Sequence, residues 1–466
     1  MVGKMLNLFY AKTPVGIQNI AVSIKGLLLE NIRKSGLYAE YKNAVIERRD
    51  WGAVRFQEYQ LEQLRNVINH AKLHVPHYRK VFGDIEMSGK EINCLDDLRR
   101  LPILSRDEVK RNPSEFFADN YSPSERISLH TTGTSGSPLK IECNKSARQK
   151  NYAFFDGYLE TIGLNPASRH IIIGGRVIVP PNVKKPPFWR YSYFQKSLLM
   201  SSYHLKDIWM DAYIDKIKSF SPEYIESYPS SIYLLAKYIL KHNRPLKCKA
   251  VVTSAETLSD EQRETIEQAF NTKVYDQYGC AEMCFFVGQC SYGNYHVRPD
   301  YGVLELVDDH GNQVEKGRYG KVLCTGFVNS VMPLIRYSIG DIASYSEEES
   351  CLCGLDTPIL MGIQGRIDDV LLTSDGRPVG RMSPVLKGFP IRESQYIQYK
   401  AGEIELLIVP EPEFSRDRDM KQIIESVRLR LGSDCKVSVR MVDSIERGKG
   451  GKRKAVISYV NDARIN

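Results

Sequence analysis

His170-Ile171-Ile172-Ile173-Gly174-Gly175 is a short, mostly apolar run that stops at two glycines, and its reading decides the fold. It is too short for a helix and is closed by a turn, so it predicts an interior strand of a sheet covered on both faces. The neighbouring segments repeat the theme. Residues 206–220 and 230–242 carry helical patterns, and Ala250-Val251-Val252-Thr253 is a second short strand. Ser259, with Gln262 three residues on, has the spacing of a capping box that opens a helix. Val274-Tyr275 begins a further strand. Such alternation builds a parallel sheet whose ligand-holding loops lie at the carboxyl ends of its strands.

On the amino-terminal side, Val54, Tyr59, Leu61, Leu64, Val67, Ile68 and Ala71 recur at helical spacing and predict one core-facing stripe. Beyond residue 300 the pattern becomes hairpins, with strands at 303–307 and 321–326 around a turn-rich stretch. After Gly365 comes a smaller unit. Segments 396–399 and 403–409 pair around Ala401-Gly402, then come a helix at 417–431 and strands at 436–442 and 455–460. The expected fold is α/β. A large multi-layer amino-terminal domain, residues 1–365, has a parallel sheet and a β-rich hairpin subdomain. A hinge joins it to a small α+β carboxyl-terminal domain, residues 366–466.

Composition narrows the function. A chain of 466 residues with 42% hydrophobic and 26% charged residues is too long for one core and too apolar for disorder. Its 64 Lys and Arg against 56 Asp and Glu are interspersed, and the basic run from Arg447 to Lys454 has no stacking aromatics, so no nucleic-acid partner is expected. No run of 18 apolar residues exists, so no transmembrane segment is expected. Residues 16–29, GIQNIAVSIKGLLL, are apolar around Lys25 and flanked by Lys4, Lys12, Arg33 and Lys34. They read either as a peripheral membrane contact or as an ordinary packed helix. Ten cysteines in so long a chain are not a disulfide framework, and the first residues show no cleavable-signal pattern. A reducing cytoplasm, with thiols free for metal, is the expectation.

Thr131-Thr132-Gly133-Thr134-Ser135-Gly136-Ser137-Pro138-Leu139-Lys140 offers hydroxyls, glycines with accessible amides and a nearby cation, a set suited to polyphosphate. It has no Gly-Lys-Ser/Thr, so it is not a Walker A loop, and its last small residue is Ser, so it is not a nucleophile elbow. Read alone it is a plain turn. Further along come Asp276-Gln277-Tyr278-Gly279-Cys280-Ala281-Glu282, with a ring to stack on a base and a carboxylate for Mg²⁺, and Arg336-Tyr337-Ser338-Ile339-Gly340-Asp341, with a carboxylate for ribose hydroxyls. Gly365-Arg366-Ile367-Asp368-Asp369 and Gly450-Gly451-Lys452-Arg453-Lys454 complete the series. Each has a bland reading as a surface acid, a salt-bridging arginine or a solvated tail. The order of all five is what carries weight.

That order resembles the adenylate-forming superfamily of acyl-CoA synthetases, peptide-synthetase adenylation domains and luciferases. Within it the chain is most similar to the phenylacetate–CoA ligase branch, including the capsular-polysaccharide CapK-like proteins. Val75-Pro76-His77-Tyr78-Arg79, Leu101-Pro102-Ile103-Leu104-Ser105 and Ser227-Tyr228-Pro229-Ser230 resemble that branch too. The resemblance implies an AMP-forming ligase that uses ATP and Mg²⁺ to activate a carboxylic acid. The acyl group then passes to a thiol, CoA above all. The resemblance also admits an amine acceptor in polysaccharide assembly, or a degenerate nucleotide-binding protein.

By resemblance, Thr131, Thr132, Gly133, Thr134, Ser135, Gly136 and Lys140 cradle the phosphates. Ser254, Ala255, Glu256, Asp276, Gln277, Tyr278 and Gly279 line the adenine side. Glu282 holds Mg²⁺, Asp341 the ribose hydroxyls and Arg366 ribose or phosphate. Asp368 matches the hinge and Lys452 the catalytic lysine, with Lys449 and Lys454 as rivals. The family usually has Thr or Ser before the Mg²⁺ glutamate, and this chain has Ala281. The acid is not legible, although Phe154 to Leu159, Trp189 to Phe194, Ser227 to Ser230 and Gly279 to Ala281 form an aromatic-rich set of candidate walls. Oligomeric state is not legible either.

A second constellation points to zinc. Cys290, His296, Cys351 and Cys353 offer three thiolates and an imidazole, the donor set of a closed structural Zn²⁺ site. Gly293 and Gly354 permit tight turns beside them. The spacing also resembles zinc-carrying members of the same branch, whereas four unrelated placements are the bland alternative.

Overall fold

The computed structural model describes residues 10, 13–85, 88–130, 139–180, 183–205, 207–258, 260–366, 371–374, 378–379, 382–386, 389–410, 413–443, 445 and 456–460. The chain forms two compact units, Met1–Asn43 with Phe155–Gln277, and Ala44–Phe154 with Tyr278–Asn466.

The first unit contains the expected parallel sheet. Strands Val274–Gly279, Ala250–Ser254, Tyr224–Ser227, His170–Gly174 and Ser197–Ser201 run side by side, and every adjacent pair is parallel. Trp189–Ser192 closes the edge antiparallel to Ser197–Ser201. Helices Asp207–Phe220, Pro229–Lys241 and Asp260–Phe270 alternate with them. Ser259 lies outside the described residues, so its capping role does too. Three strands were not expected from sequence. Ser197–Ser201 is buried throughout and therefore shows no period, while its Leu-Leu-Met core has no β-branched residue to mark it as a strand.

The 16–29 segment lies in the helix Val15–Lys34, but its inward residues are Gln18, Ser23, Gly26 and Arg33. Ile17, Ile20, Ile24, Leu27 and Leu28 point outward, while Val22 and Leu29 are half-buried. No described helix is long and apolar enough to cross a membrane.

The second unit is antiparallel where the sequence predicts hairpins. Its strands lie in the order Gly302–Val307, Tyr319–Gly326, Tyr337–Tyr345, Ile359–Arg366, Tyr295–Val297 and Phe286–Gln289. Val303 faces Thr325 and Asp341 faces Arg366. The helix Ala53–His74 buries Leu64, Ile68 and Ala71 as expected, together with Phe56 and Gln60. Val54 is a correction: it is 70% exposed, because the buried stripe begins only at Phe56.

The carboxyl-terminal elements form a separate four-stranded sheet in the order Lys436–Met441, Glu403–Pro410, Ile391–Lys400, Val456–Ser458. Tyr396, Ile404, Leu406 and Ile408 of this sheet pack on Ile423, Val427 and Leu431 of helix Arg416–Leu431. The fold class is therefore mixed α/β with a large sheet and a small-sheet carboxyl-terminal domain.

Candidate functional site

Two buried carboxylates organise the candidate site residues of the second unit. Strand Val274–Gly279 leads into a turn closed by the Met283 N–H donating to the Cys280 carbonyl at 3.1 Å. The turn leaves Ala281 exposed and Glu282 buried. Glu282 accepts from Arg106 Nη1 at 3.2 Å and from the Tyr337 hydroxyl at 3.4 Å. Arg106 opens the helix Arg106–Arg111, capped by Ser105, whose Oγ accepts from the Glu108 N–H. Four residues beyond Tyr337, across an irregularity in the same strand, Asp341 accepts from the Tyr278 hydroxyl at 2.9 Å. Asp341 is also in register with the main chain of Arg366. The structure thus ties Tyr278 to Asp341, Tyr337 to Glu282, and the Asp341 strand to Arg366.

Arg106 is the residue that motif reading missed. Its signal was its place directly after Leu101-Pro102-Ile103-Leu104-Ser105. Arg336, quoted with the Asp341 motif, is instead a structural clamp. Its guanidinium donates to Glu305 Oε1 at 3.1 Å, to the Leu101 carbonyl at 2.9 Å and to the Gly311 carbonyl at 3.0 Å.

In the first unit, Asp276 is buried and accepts from Thr253 Oγ1 at 2.5 Å. Register pairs Thr253 with Asp276 and Ser254 with Gln277, so these candidates share the carboxyl ends of neighbouring strands. Ala255 is next in the left-handed region, φ +68°, and the half-buried Glu256 comes after it. Tyr193 and Phe194, two candidate pocket walls, lie exposed just after the edge strand Trp189–Ser192.

Several candidates cannot be placed. Thr131, Thr132, Gly133, Thr134, Ser135 and Gly136 lie outside the described residues, as do Asp368 and Lys452 with its rivals Lys449 and Lys454. Strands Ile127–His130 and Lys140–Cys143 flank the Ser/Thr/Gly stretch as an antiparallel pair, with His130 facing Lys140. Lys140 is exposed and meets Glu142 Oε1 at 2.5 Å.

The cysteine–histidine quartet does assemble. One donor atom from each of Cys290, His296, Cys351 and Cys353 lies within 4.8 Å of all the others. Cys290 Sγ and Cys351 Sγ are 3.6 Å apart, and Cys353 Sγ stands 3.3 Å from His296 Nε2. Bonds of about 2.3 Å to sulfur and 2.0 Å to nitrogen give tetrahedral edges of roughly 3.5–3.8 Å, so the donor set fits a metal of zinc's size. Two matching turns present the sulfurs. The Gly293 N–H donates to the Cys290 carbonyl and the Gly354 N–H to the Cys351 carbonyl, with φ +91° and +81° at the two glycines. That backbone region suits a residue without Cβ.

Thr357 Oγ1 meets His296 Nδ1 at 3.0 Å and leaves Nε2 toward the sulfurs. Burial pushes the His296 imidazole down to about 4, which keeps it neutral and able to ligate. Burial works against the Cys351 thiolate, but the Cys353 N–H and the Asn294 amide hold that thiol below its usual value.

Comparison with known proteins fits this architecture. Residues 371–459 match the CapK C-terminal domain family. Protein CapK of Staphylococcus aureus is 28% identical over 465 residues, covering 98% of this chain and 100% of its own. The phenylacetate-coenzyme A ligase of Thermus thermophilus is 25% identical over 343 residues, 68% of this chain and 72% of that protein. The chain is similar over its length to CapK and over most of it to the phenylacetate–CoA ligases of the adenylate-forming superfamily. The structure of 2-hydroxyisobutyryl-CoA ligase in its postadenylation state, in complex with R3-HIB-AMP, covers 88% of this CapK-like chain and 91% of that one. Its TM-score of 0.61 at 19% identity shows a shared fold. The family match at 371–459 falls on the small-sheet domain of the CapK-like chain.

Proposed function

We propose that this chain is an AMP-forming acid ligase. A carboxylate oxygen attacks the α-phosphorus of ATP, the bond to the bridging oxygen breaks, and pyrophosphate leaves. A thiol, CoA in the leading reading, then attacks the acyl carbonyl and displaces AMP. The observation that carries this reading is the pair of buried carboxylates Glu282 and Asp341, each already held by hydrogen bonds. Glu282 is a buried hard oxygen donor whose present counter-charge is the guanidinium of Arg106. It would hold Mg²⁺, whose role is to neutralise phosphate charge. Asp341, oriented by Tyr278, would take the ribose hydroxyls, with Arg366 beside it. Thr131 to Gly136 and Lys140 would cradle the phosphates. Ser254, Ala255, Glu256, Asp276, Gln277 and Gly279 would line the adenine side. Lys452 would stabilise the reacting oxygens, brought there by a carboxyl-terminal domain of residues 366–466 turning on Asp368 against residues 1–365. A reaction that draws on ATP and CoA belongs in the cytoplasm.

An amine acceptor, in assembly of a surface polysaccharide, is a second reading. It is favoured by the match to CapK, which spans that whole protein, where the match to the ligase spans 72% of its length. One experiment tests both. Pyrophosphate release is measured with ATP, Mg²⁺ and a panel of carboxylic acids, with CoA or with amines. Release coupled to CoA thioester supports the first reading, and release coupled only to amide supports the second. Absence of release with every acid refutes both and leaves a nucleotide-binding protein.

We also propose that Cys290, His296, Cys351 and Cys353 hold a structural Zn²⁺, since four protein donors leave no open position. Elemental analysis of the purified protein should give about one zinc per chain, and a metal-free, fully stable protein would refute it.

A further inference from the structure

A helix on a protein surface normally turns its aliphatic stripe inward. The helix Val15–Lys34 does the reverse. Ile17, Ile20, Ile24, Leu27 and Leu28 are between 47% and 62% exposed, while Gln18, Ser23 and Arg33 are buried. At 100° per residue the five aliphatic positions fall in an arc about 100° wide, on the side away from Gln18, Gly26 and Arg33.

The inversion is locked by specific bonds. Arg190 Nε donates to Gln18 Oε1 at 2.5 Å, and the Tyr193 N–H donates to Ser23 Oγ at 3.0 Å. Gln195 Nε2 donates to Glu30 Oε1 at 3.0 Å, and Lys34 Nζ lies 2.7 Å from Asp156 Oδ2. A Cβ on Gly26 would stand 2.5 Å from Ser192 Oγ, so a larger residue there would have to displace the Ser192 and Gln195 side chains. Turning the stripe inward would break all of these bonds.

We propose that this outward face docks on an anionic lipid bilayer. The helix lies against the edge strand Trp189–Ser192, and the residues just after that strand extend the patch with two rings, Tyr193 and Phe194, both more than half exposed. Lys25 and Lys196 are exposed on the same two elements. The helix's single acid, Glu30, is engaged by Gln195 and by Lys34. An apolar stripe with aromatic flanks and unbalanced cations has the chemistry of a helix lying in the plane of a charged membrane interface. A second copy seated on the same face would bring like lysines together. The proposal stands whether or not the chain is a ligase.

The test uses the full-length protein in vesicle flotation, with phosphatidylcholine alone or with about one-third phosphatidylglycerol. The wild-type protein should float with the anionic vesicles and lose binding as salt rises. The double variant Ile24→Glu/Leu28→Glu, whose sites are exposed, should keep its circular dichroism and melting temperature. Its vesicle-bound fraction should fall at least about tenfold. Lys25→Glu should weaken binding to anionic vesicles and leave neutral vesicles unaffected. Failure of the wild-type protein to float with either vesicle overturns the proposal, as does equal flotation of the double variant. A dimer in sedimentation velocity that the double variant abolishes, without flotation, overturns it in favour of a second copy of the chain.

Discussion

Arg106→Met isolates the interaction that joins the start of one helix to the turn after a strand 176 residues away. In the folded protein the Arg106 and Glu282 side chains are 14% and 5% exposed. A pair this enclosed is not a surface salt bridge worth about 0–1 kcal/mol. Removing the cation leaves a buried carboxylate whose remaining close partner, the Tyr337 hydroxyl, is 3.4 Å away. Stranding a buried charge costs about 3–5 kcal/mol, and the partial access of Arg106 puts the expected loss near the low end, about 3 kcal/mol. Glu282→Gln should cost less, about 1 kcal/mol, because its amide oxygen still accepts from the guanidinium. The double variant should recover part of the loss, with a coupling energy of about 2 kcal/mol between the two sites. Urea unfolding of the four proteins, read at the transition that both single variants shift, gives the cycle. An Arg106→Met protein within about 1 kcal/mol of wild type, or strictly additive effects, would falsify the buried-pair argument.

The same geometry fixes other outcomes. Tyr278→Phe deletes the donor to Asp341 and should destabilise the protein by about 1.5–3 kcal/mol while raising KM for ATP, checked by melting curves and pyrophosphate assays. Ala281→Thr supplies the hydroxyl that the family usually has, at an exposed position. Adenylation should rise by at least about tenfold, and an unchanged rate would show that another donor already serves. Gly354→Ala forces a Cβ onto φ +81° and should cost about 1–2 kcal/mol, with reduced metal content by elemental analysis. For the metal-free protein, His296 is held down to about 4 from an ordinary 6.5. The unfolded chain therefore takes its proton first, so this contribution is complete above pH 6.5 and is lost as pH falls toward 4. His296→Gln should flatten the slope of stability against pH in that window.

Much of this was legible before folding because it is local. The strands at 170–173 and 250–253, the hairpin 303–307 with 321–326, and the carboxyl-terminal strands and helix are all set by side-chain periodicity and turn residues. These act over a few neighbouring dihedrals. The quartet Cys290, His296, Cys351 and Cys353 was legible because soft donors at knuckle spacing are rare enough to stand out. Ser197–Ser201 was not, because complete burial erases the alternation that marks a strand. Arg106 was not, because its partner is brought near only when the Glu282 turn and the Ser105-capped helix are fixed by the rest of the second unit.

The helix Val15–Lys34 makes the division plain. Helical periodicity is a property of the chain itself, so its own residues were enough to set a helix with one aliphatic face. Which way that face points was settled by Arg190, Ser192, Tyr193, Gln195 and Asp156, which reach the helix only after folding. Their polar groups, once buried, require the partners that Gln18, Ser23, Glu30 and Lys34 provide.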